Sequence, residues 1–599
     1  MDKESSRNMI IFAVLTVVII GLYQQFVIGP QVQRQRAAAQ AAAVAAAAAH
    51  HAAPAGLAAG AAAGFGGRGG AIASAPRVRI DTPSLVGTVS LHGARIDDLA
   101  LKHYHLTPDP KSPLVQLLRP GGAQPGWFVQ LGWLPGAAPE ALPDDDAIDW
   151  TAPAGAVLTP ETPLVLSYQK DGVTAQRTIA IDDNAMFTIT DRVTNGLAQP
   201  LAIRSYGVVE QQGLPTDLTP SNIVHEGAIG ILDGAQLREA KYKDWKKKGF
   251  ADLKSTGGWL GITEKYWLAA LIPDQATSFT AKFPVESRDG ADLYKSGYLG
   301  PVETVASGQT LTRTTHLFAG AKTVPVLQAY SAKLGVPKLD WAVDWGMFWF
   351  FTQPLFKLLE FLKGYIGNIG LAILALTVIV KAVFFPLANK SYESMSKMKK
   401  IAPQIEAIKK QFENDAAKVQ QETMALYQRE KINPFMGCLP MLVQIPVFYS
   451  LYKVLTVTIE MRQAPFLGWI HDLSAKDPTT IWNLFGLIPW DPSHAVLIGG
   501  LLGSSLHLGV WPLLYGFSMW LSQAMSPPAG VDPAQKMMFQ LMPIMFTFIM
   551  AQFTVGLLIY WCWNNVLSIL QQYLIMHRLK VENPIDSFIG AFAKPRPAG

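Results

Sequence analysis

A charged side chain deep inside a long apolar run is the first residue that demands a chemical account. Lys381 lies in LAILALTVIVKAVFFPL, about two-thirds of the way along the run. A cation at the centre of a bilayer costs roughly 2.5 to 3.5 kcal/mol on insertion scales, so it needs water, a partner or a role. Its stem could instead snorkel past Phe384 and Phe385 to the nearer interface. A later apolar segment carries Asn564, Asn565, Ser568, Gln571 and Gln572 at spacings of three and four, which places a polar stripe on one helical face. Gln444 in one further segment, and Ser518, Ser522 and Gln523 in another, add amides and hydroxyls. Interhelical hydrogen bonds of about 0.6 kcal/mol each would absorb many of these groups. They leave unexplained a cation in a set of apolar segments that contains no Asp or Glu. The pattern predicts a wet cavity, open to the cytoplasm and closed outward, that attracts acidic or polar peptide segments.

The elements that must position these groups are apolar segments at approximately 366–387, 434–457, 508–525, 537–553 and 555–576, behind an earlier one at 9–28. That makes six spans, with both termini on one side. The connection 388–432 holds 9 Lys or Arg and 6 Asp or Glu, whereas 460–506 holds only Arg462 and Lys476 as basic residues. The positive-inside rule therefore assigns 388–432, 526–536 and the tail to the cytoplasm. The first segment reads as an uncleaved anchor, because the small residues at 37–39 lie about 15 residues past its apolar core. The stretch 495–506 is too short for a span and reads as interfacial or re-entrant.

With 599 residues, half of them hydrophobic and 16% charged, the chain is neither a disordered nor a disulfide-stapled protein. The net charge of +5 is small, and no basic stripe interleaves with aromatics, which argues against nucleic acid. Cys438 and Cys562 both fall in apolar segments, so the rest of the chain has neither a thiolate metal site nor a cysteine nucleophile. From 31 to 75, 22 of 45 residues are Ala, a composition that reads as a tether; the pair His50 and His51 lacks further ligands for a metal.

Residues 77 to about 320 alternate in short runs such as Val78-Arg79-Ile80-Asp81 and Phe187-Thr188-Ile189-Thr190-Asp191, with Asp-Gly and Asn-Gly turns at 171–172 and 195–196. This is the pattern of an all-β sandwich. It contains no nucleophile elbow, zinc-protease motif, P-loop or dinucleotide fingerprint. Its scattered histidines His92, His103, His105, His225 and His316 read as ordinary surface or core residues. The basic run KYKDWKKK at 241–248 reads as a solvated loop, with docking to a partner or to lipid headgroups as the alternative. The aromatic segment 341–363 is interrupted by Asp344, Pro354, Lys357 and Glu360, so it is expected to lie in the membrane interface. In 388–432, Met395, Met398, Ile401, Ile405, Ile408 and Phe412 share one helical face, which predicts a helical hairpin. That face could pack on the hairpin itself or receive hydrophobic clients on its methionines.

Asn433-Pro434, Gly437-Cys438, Pro440, Gln444, Pro446, Phe448 and Leu451-Tyr452 are followed by Arg462-Gln463-Ala464-Pro465-Phe466 and Trp469-Ile470-His471-Asp472-Leu473-Ser474. Met525-Ser526-Pro527, Asp532-Pro533, Met542-Pro543 and Gly556-Leu557 complete the run. Over roughly 340–580 this resembles the YidC-type membrane protein insertases of bacteria, relatives of the mitochondrial and chloroplast insertases. Gly93-Ala94-Arg95-Ile96 and Leu317-Phe318-Ala319-Gly320 extend the likeness outward more loosely.

The resemblance implies a polytopic α-helical membrane protein of six transmembrane helices with a large extracytoplasmic all-β domain of supersandwich type. Together with the composition, the expected organisation is an anchor (1–30), a tether (31–76), a periplasmic domain (77–325), an interfacial helix (341–363), an insertase core (364–580, with cytoplasmic hairpin 388–432 and periplasmic loop 458–507) and a tail (581–599). The implied activity is non-enzymatic and needs no cofactor: insertion and folding of nascent inner-membrane proteins through a hydrophilic groove. The groove residues are Lys381, Thr377, Gln444, Ser518, Ser522, Tyr560, Trp561, Asn564, Asn565 and Ser568, with Met395, Met398, Lys399 and Lys400 on a hairpin facing client and ribosome. The implied partners are nascent membrane-protein segments, the Sec translocon, the ribosome and membrane lipids, at the bacterial inner membrane with both termini cytoplasmic. The family usually has Arg where Lys381 stands, so electrostatic attraction carries over and a bidentate contact does not. The tether and the segment 479–506 depart from better-known members and inherit nothing. A solute transporter would favour internal repeats, which are not visible. A membrane hydrolase would need acids or a Ser-His pair in the spans, and a pure scaffold would not need the polar stripe.

Overall fold

The computed structural model describes residues 68–121, 125–143, 148–219, 224–288, 290–412, 415–430, 432, 439–488, 490, 506–525, 533–578, 580–581 and 583–586. The expected first span, most of the alanine-rich tether, Cys438, most of 495–506 and most of the tail lie outside them. The chain divides into two compact units, the first running through Asp344 and the second consisting mainly of the helices that follow.

The strands of the first unit form one sheet of twelve strands and one of eight. Pairing is antiparallel throughout, apart from Arg77–Asp81 beside Val157–Leu158. Period-two alternation explains the packing. In the strand Val173–Ile181, Ala175, Arg177, Ile179 and Ile181 are buried, and in Met186–Asn195 so are Phe187, Ile189, Asp191 and Val193. These rows meet residues of the other sheet, among them Leu99, Val129, Val209 and Tyr298, in one continuous core. The inward arginine is fully satisfied. Arg177 and Asp191 are cross-strand partners, and Nε and Nη2 of the guanidinium each donate to the carboxylate at 2.7 Å. Nη1 donates to the Leu131 carbonyl of the opposite sheet at 2.9 Å, and the group lies 5.0 Å from the Trp150 ring. A planar fork with this many partners is what lets a cation sit inside a sandwich.

Two expectations change here. Most of the basic run 241–248 is a short helix, Tyr242–Lys248, rather than a solvated loop. Its Tyr242 and Trp245 are core residues, with the Trp245 indole donating to the Phe283 carbonyl at 2.9 Å, while Lys246 pairs with Asp292 at 2.7 Å on the surface. An aromatic pair three residues apart shares one face of a helix, and burial of that face outweighs the charge of the flanking lysines. The unit also continues past residue 325. A helix Val324–Leu334 follows the last strand, closed by Gly335 in the left-handed region (φ 64°), and the Tyr330 hydroxyl donates to Asp182 at 2.7 Å. A 3-10 turn, Leu339–Ala342, is held through Gln328 on Asp340.

The second unit is helical. Its helices are α1 (Trp349–Ile366), α2 (Ile369–Gln411), α3 (Ala416–Arg429), α4 (Leu439–Val457), α5 (Val510–Met525), α6 (Pro533–Met550) and α7 (Val555–Arg578). α1 begins eight residues later than the aromatic segment 341–363, because Leu339–Ala342 is a separate 3-10 turn of the first unit. α2 starts at the Asn368 cap, whose side chain accepts from the Leu371 amide at 3.0 Å, and runs 43 residues through Pro386 and Pro403. At 1.5 Å per residue it is about 64 Å long, roughly twice the hydrocarbon thickness of a bilayer. The second predicted span and the first arm of the hairpin are therefore one rod rather than two elements. The hairpin closes on itself: Ile401 and Ile405 of α2 pack on Leu426 of α3 and on Ile432, with Met398, Ile408 and Tyr427 around them.

α2 packs on α1 and α7, and α5 packs on α6 and α7. Among the described helices, the stretch Ile369–Met398 within α2 is long and apolar enough by itself to cross a membrane. α5 has only 16 residues, and α7 carries the polar stripe, so neither reaches that mark on length and composition alone. Large apolar side chains nonetheless stand exposed on several helices: Val378 and Val383 on α2, Leu514 and Phe517 on α5, Ile544 and Ile549 on α6, and Leu570 and Leu574 on α7. So much exposed apolar surface suits hydrocarbon and not water.

Candidate functional site

The site is built where α2, α4 and α7 converge. Thr377, Val380, Lys381 and Phe384 of α2, Gln444 of α4, and Tyr560 and Asn564 of α7 line a cavity of about 20 Å³. That is enough space for one water. The spacing explains the lining. Thr377, Val380, Lys381 and Phe384 follow the three-and-four rhythm of one helical face, as do Tyr560, Asn564 and Ser568.

Lys381 Nζ donates to Ser568 Oγ at 2.7 Å, and Ser568 Oγ donates in turn to the Asn564 carbonyl at 2.8 Å. Tyr560 and Gln444 face the same cavity from α7 and α4. Among the described residues no carboxylate forms an ion pair with Lys381. The ammonium, with three donors, has a single neutral side-chain partner there, which leaves donor capacity for water or for an acceptor entering the cavity. Thr377 is buried and its hydroxyl donates back to the Ile373 carbonyl at 2.7 Å, so it offers a lone pair rather than a free proton.

The stripe on α7 divides between two seams. Asn565 points the other way, its amide donating to Ser518 Oγ of α5 at 3.0 Å, while Ser518 donates to the Tyr515 carbonyl at 2.8 Å. Ser522, four residues further along α5, is not among the residues that line the cavity. Gln571 reaches the Phe385 carbonyl at 3.5 Å. Trp561, adjacent to Tyr560 and so about 100° around the helix, belongs to an aromatic stack. Its ring lies 5.1 Å from Phe448 at an interplanar angle of 9°, and 5.5 Å from Tyr515. The structure thus brings Lys381, Thr377, Gln444, Tyr560, Asn564 and Ser568 together, and places Ser518, Ser522, Asn565 and Trp561 elsewhere. On the hairpin, Met395 and Met398 are half-buried and Lys400 is exposed; the Lys399 side chain lies outside the described residues.

Two side chains of this bundle escaped the sequence reading. Lys453, in the apolar helix α4, is buried and sits so close to Gly346 that a Cβ there would come within 2.9 Å of its Cε. Its signal was the same as that of Lys381, a cation in an apolar run. The Trp563 indole donates to the Leu374 carbonyl of α2 at 3.2 Å, a contact between helices that spacing alone does not reveal.

The β unit holds a second, larger cavity of about 420 Å³, lined among others by Asp274, Gln275, Arg313, His316 and Val336. Its polar groups are already engaged: Arg313 with Glu303, His316 with Thr188 at 3.1 Å, and Gln275 with the Gly258 carbonyl at 2.9 Å. Elsewhere in the unit, burial pushes the Glu264 carboxyl up to about 7, against the opposing pull of Arg119, whose Nη2 stands 3.6 Å from it. Burial likewise brings His225 down to about 4, and its Nε2 lies 2.8 Å from the Ala228 carbonyl. No cluster of three or more metal-ligating side chains occurs among the described residues.

Comparison with known proteins covers both units. A family model described as the 60Kd inner membrane protein matches residues 361–583, and one described as the YidC periplasmic domain matches 77–358. A membrane protein insertase YidC of Caulobacter vibrioides is 52% identical, over 98% of this chain and 98% of its own length. The proteins of the same name from Caulobacter sp. strain K31 and Rhizobium etli are 51% and 48% identical, the first over 98% of each chain and the second over 88% of this chain and 86% of its own.

Proposed function

Since the chain belongs to the YidC family of membrane protein insertases, we propose that it moves apolar segments of nascent proteins into the bilayer along the polar face shared by α2, α4 and α7. As a member of that family it is a non-enzymatic insertase of the bacterial inner membrane. The observation that carries the groove reading is the Lys381–Ser568 pair beside a water-sized cavity, with no carboxylate among the described residues to neutralise the cation. Taking a polar flank through hydrocarbon costs several kcal/mol per unsatisfied group. A hydrated notch at partial depth shortens that dry path, and burial of the client's apolar segment in lipid drives the transfer. No nucleotide is consumed.

In this reading six spans cross the membrane: the segment 9–28, α2, α4, α5, α6 and α7. The exposed apolar residues of α2, α5, α6 and α7 meet lipid. The β unit lies in the periplasm, and the hairpin and both termini in the cytoplasm, in keeping with the 9 basic residues of 388–432. The hairpin spends most of its apolar face on its own core, so it serves clients or the ribosome through the exposed Lys400 and Met424 rather than through Ile401 and Ile405. Cooperation with the Sec translocon, carried by family resemblance, completes the proposal.

The test uses liposomes containing only the purified protein, a small single-span client and protease protection. Protection above empty liposomes without nucleotide is the expected result, with single cysteines at Gln444 and Ser568 labelled from the cytoplasmic side. No protection by folded protein, or a dry Ser568 site, would overturn the autonomous groove.

A further inference from the structure

The loop between α4 and α5 contains a turn that holds a cluster of large apolar side chains outward. The 3-10 segment Ile481–Gly486 opens with a reciprocal cap: the Thr480 side chain accepts from the Trp482 amide at 2.9 Å, and Asn483 Oδ1 accepts from the Thr480 amide at 2.9 Å. Two successive residues then take left-handed backbone conformations, Leu484 (φ 48°, ψ 48°) and Phe485 (φ 58°, ψ 35°). Neither is a glycine. Left-handed leucine and phenylalanine are costly and persist only where the surroundings hold them. The outcome of that cost is exposure. Trp482, Leu484, Phe485, Leu487, Ile488 and Trp490 all stand exposed, with Leu487 at 84%. From Pro478 to Trp490 there is no charged residue.

The turn is also clamped to the start of α5. The Asp477 carboxylate accepts from the Trp511 amide at 2.8 Å and Thr479 Oγ1 accepts from the Val510 amide at 3.1 Å, so the loop caps the helix. The Ile481 amide donates to the Leu508 carbonyl at 2.9 Å, and the Trp482 indole to the Leu506 carbonyl at 2.8 Å. Gly509 admits this approach, since a Cβ there would lie 2.5 Å from the Thr479 carbonyl oxygen. The exposed apolar face of α5 begins at Leu513, one turn further on. The tip is therefore held at the very end of a helix whose outer face is apolar.

We infer that this turn is a membrane-interface anchor, seating Leu484, Phe485, Leu487 and the flanking tryptophans in the headgroup region of the outer leaflet. The inference rests on the reading of α5 as a span. Amphipathic tryptophans bordering uncharged Leu, Phe and Ile match the composition of an interfacial belt. Lipid is favoured over a protein occupant because the tip is fixed beside the bilayer edge by the α5 cap. The anchor fixes the depth and tilt of α5, whose other face carries Ser518.

In a background with Cys438 and Cys562 replaced by Ala, three single-cysteine chains are labelled with an environment-sensitive fluorophore and reconstituted: Leu487→Cys, Asp109→Cys on an exposed β-unit turn, and Phe517→Cys on the apolar face of α5. The expected result is blue-shifted emission at 487, strong quenching there by a lipid carrying a shallow nitroxide, and iodide access several-fold below that at 109. Iodide access at 487 equal to that at 109, with 517 quenched by lipid, overturns the anchor and leaves the span. Protection of 487 from both quenchers also overturns it, because the turn would then be covered by protein. Iodide access at 517 overturns the span and the anchor with it.

Discussion

Reversing the charge at Lys381 should cripple insertion selectively. The ammonium is 2.7 Å from Ser568 Oγ and has no acidic partner among the described residues, so its field acts on whatever enters the cavity. A client carboxylate passing at about 4 Å gains about 1 kcal/mol if the notch is as polar as water, and about 4 kcal/mol at an effective dielectric constant near 20. Lys381→Glu turns that attraction into repulsion of similar size. Even the lower figure then swings by about 2 kcal/mol, on the order of 30-fold in rate. Lys381→Arg keeps the charge and should retain most activity. The assay is protease-protected insertion in proteoliposomes at matched protein content, with paired clients that differ only in an acidic or a neutral translocated tail. The acidic-tailed client should lose on the order of 30-fold with Lys381→Glu, and the neutral one much less. Equal loss for both tails would mean that the variant damages the bundle, and no loss for either would remove the charge from the mechanism.

Breaking the buried pair of the β unit should be expensive. Arg177→Met strands the Asp191 carboxylate with the Trp133 indole as a remaining donor, at a cost of about 3 to 5 kcal/mol, and Arg177→Met with Asp191→Leu should recover most of it; protease susceptibility of the β unit across a urea titration reads both. Burial raises Glu264 from 4.5 to about 7, so the folded unit holds a proton that the unfolded chain releases. Its stabilising contribution is complete below about pH 4.5 and is lost as pH rises through about 7. Glu264→Gln should flatten that limb, as seen in the thermal midpoint for proteolysis at about pH 5 and about pH 7.5. His225, lowered from 6.5 to about 4, acts in the opposite sense, its neutral form favouring the fold above about 6.5 and that gain fading as pH falls through about 4. Gly509→Ala should push the Asp477–Thr479 cap off α5 at a cost of about 1 to 3 kcal/mol, exposing the loop to protease without touching the Lys381 cavity.

Composition and period carried a long way in this chain. Strand alternation announced the β unit, and a cation in an apolar run announced Lys381, because both signals lie in a few consecutive residues. The same rhythm marked Met398, Ile401 and Ile405 as one helical face, yet left open whether that face is free. Local sequence could not show that Leu426 closes it. It also placed Tyr242 and Trp245 in a solvated loop, since the lysines around them dominate any short window, while the core that buries the two rings is assembled from distant residues such as Phe283 and Tyr294.

What the sequence determined by itself is which segments are apolar, which strands alternate, and which charge sits where hydrocarbon disfavours it. These are properties of neighbours along the chain. The tertiary structure decided which partners those groups find: Lys381 meets Ser568 across 187 positions, Asn565 turns to Ser518, and Trp561 leaves the cavity for Phe448. Adjacent residues of a helix point about 100° apart, so a stripe read from spacing alone divides among whichever helices pack against it. Arg177 shows the same division of labour. Its inward register is legible in the strand, but the carboxylate, the Leu131 carbonyl and the Trp150 ring that make a buried cation tolerable come together only when the two sheets close.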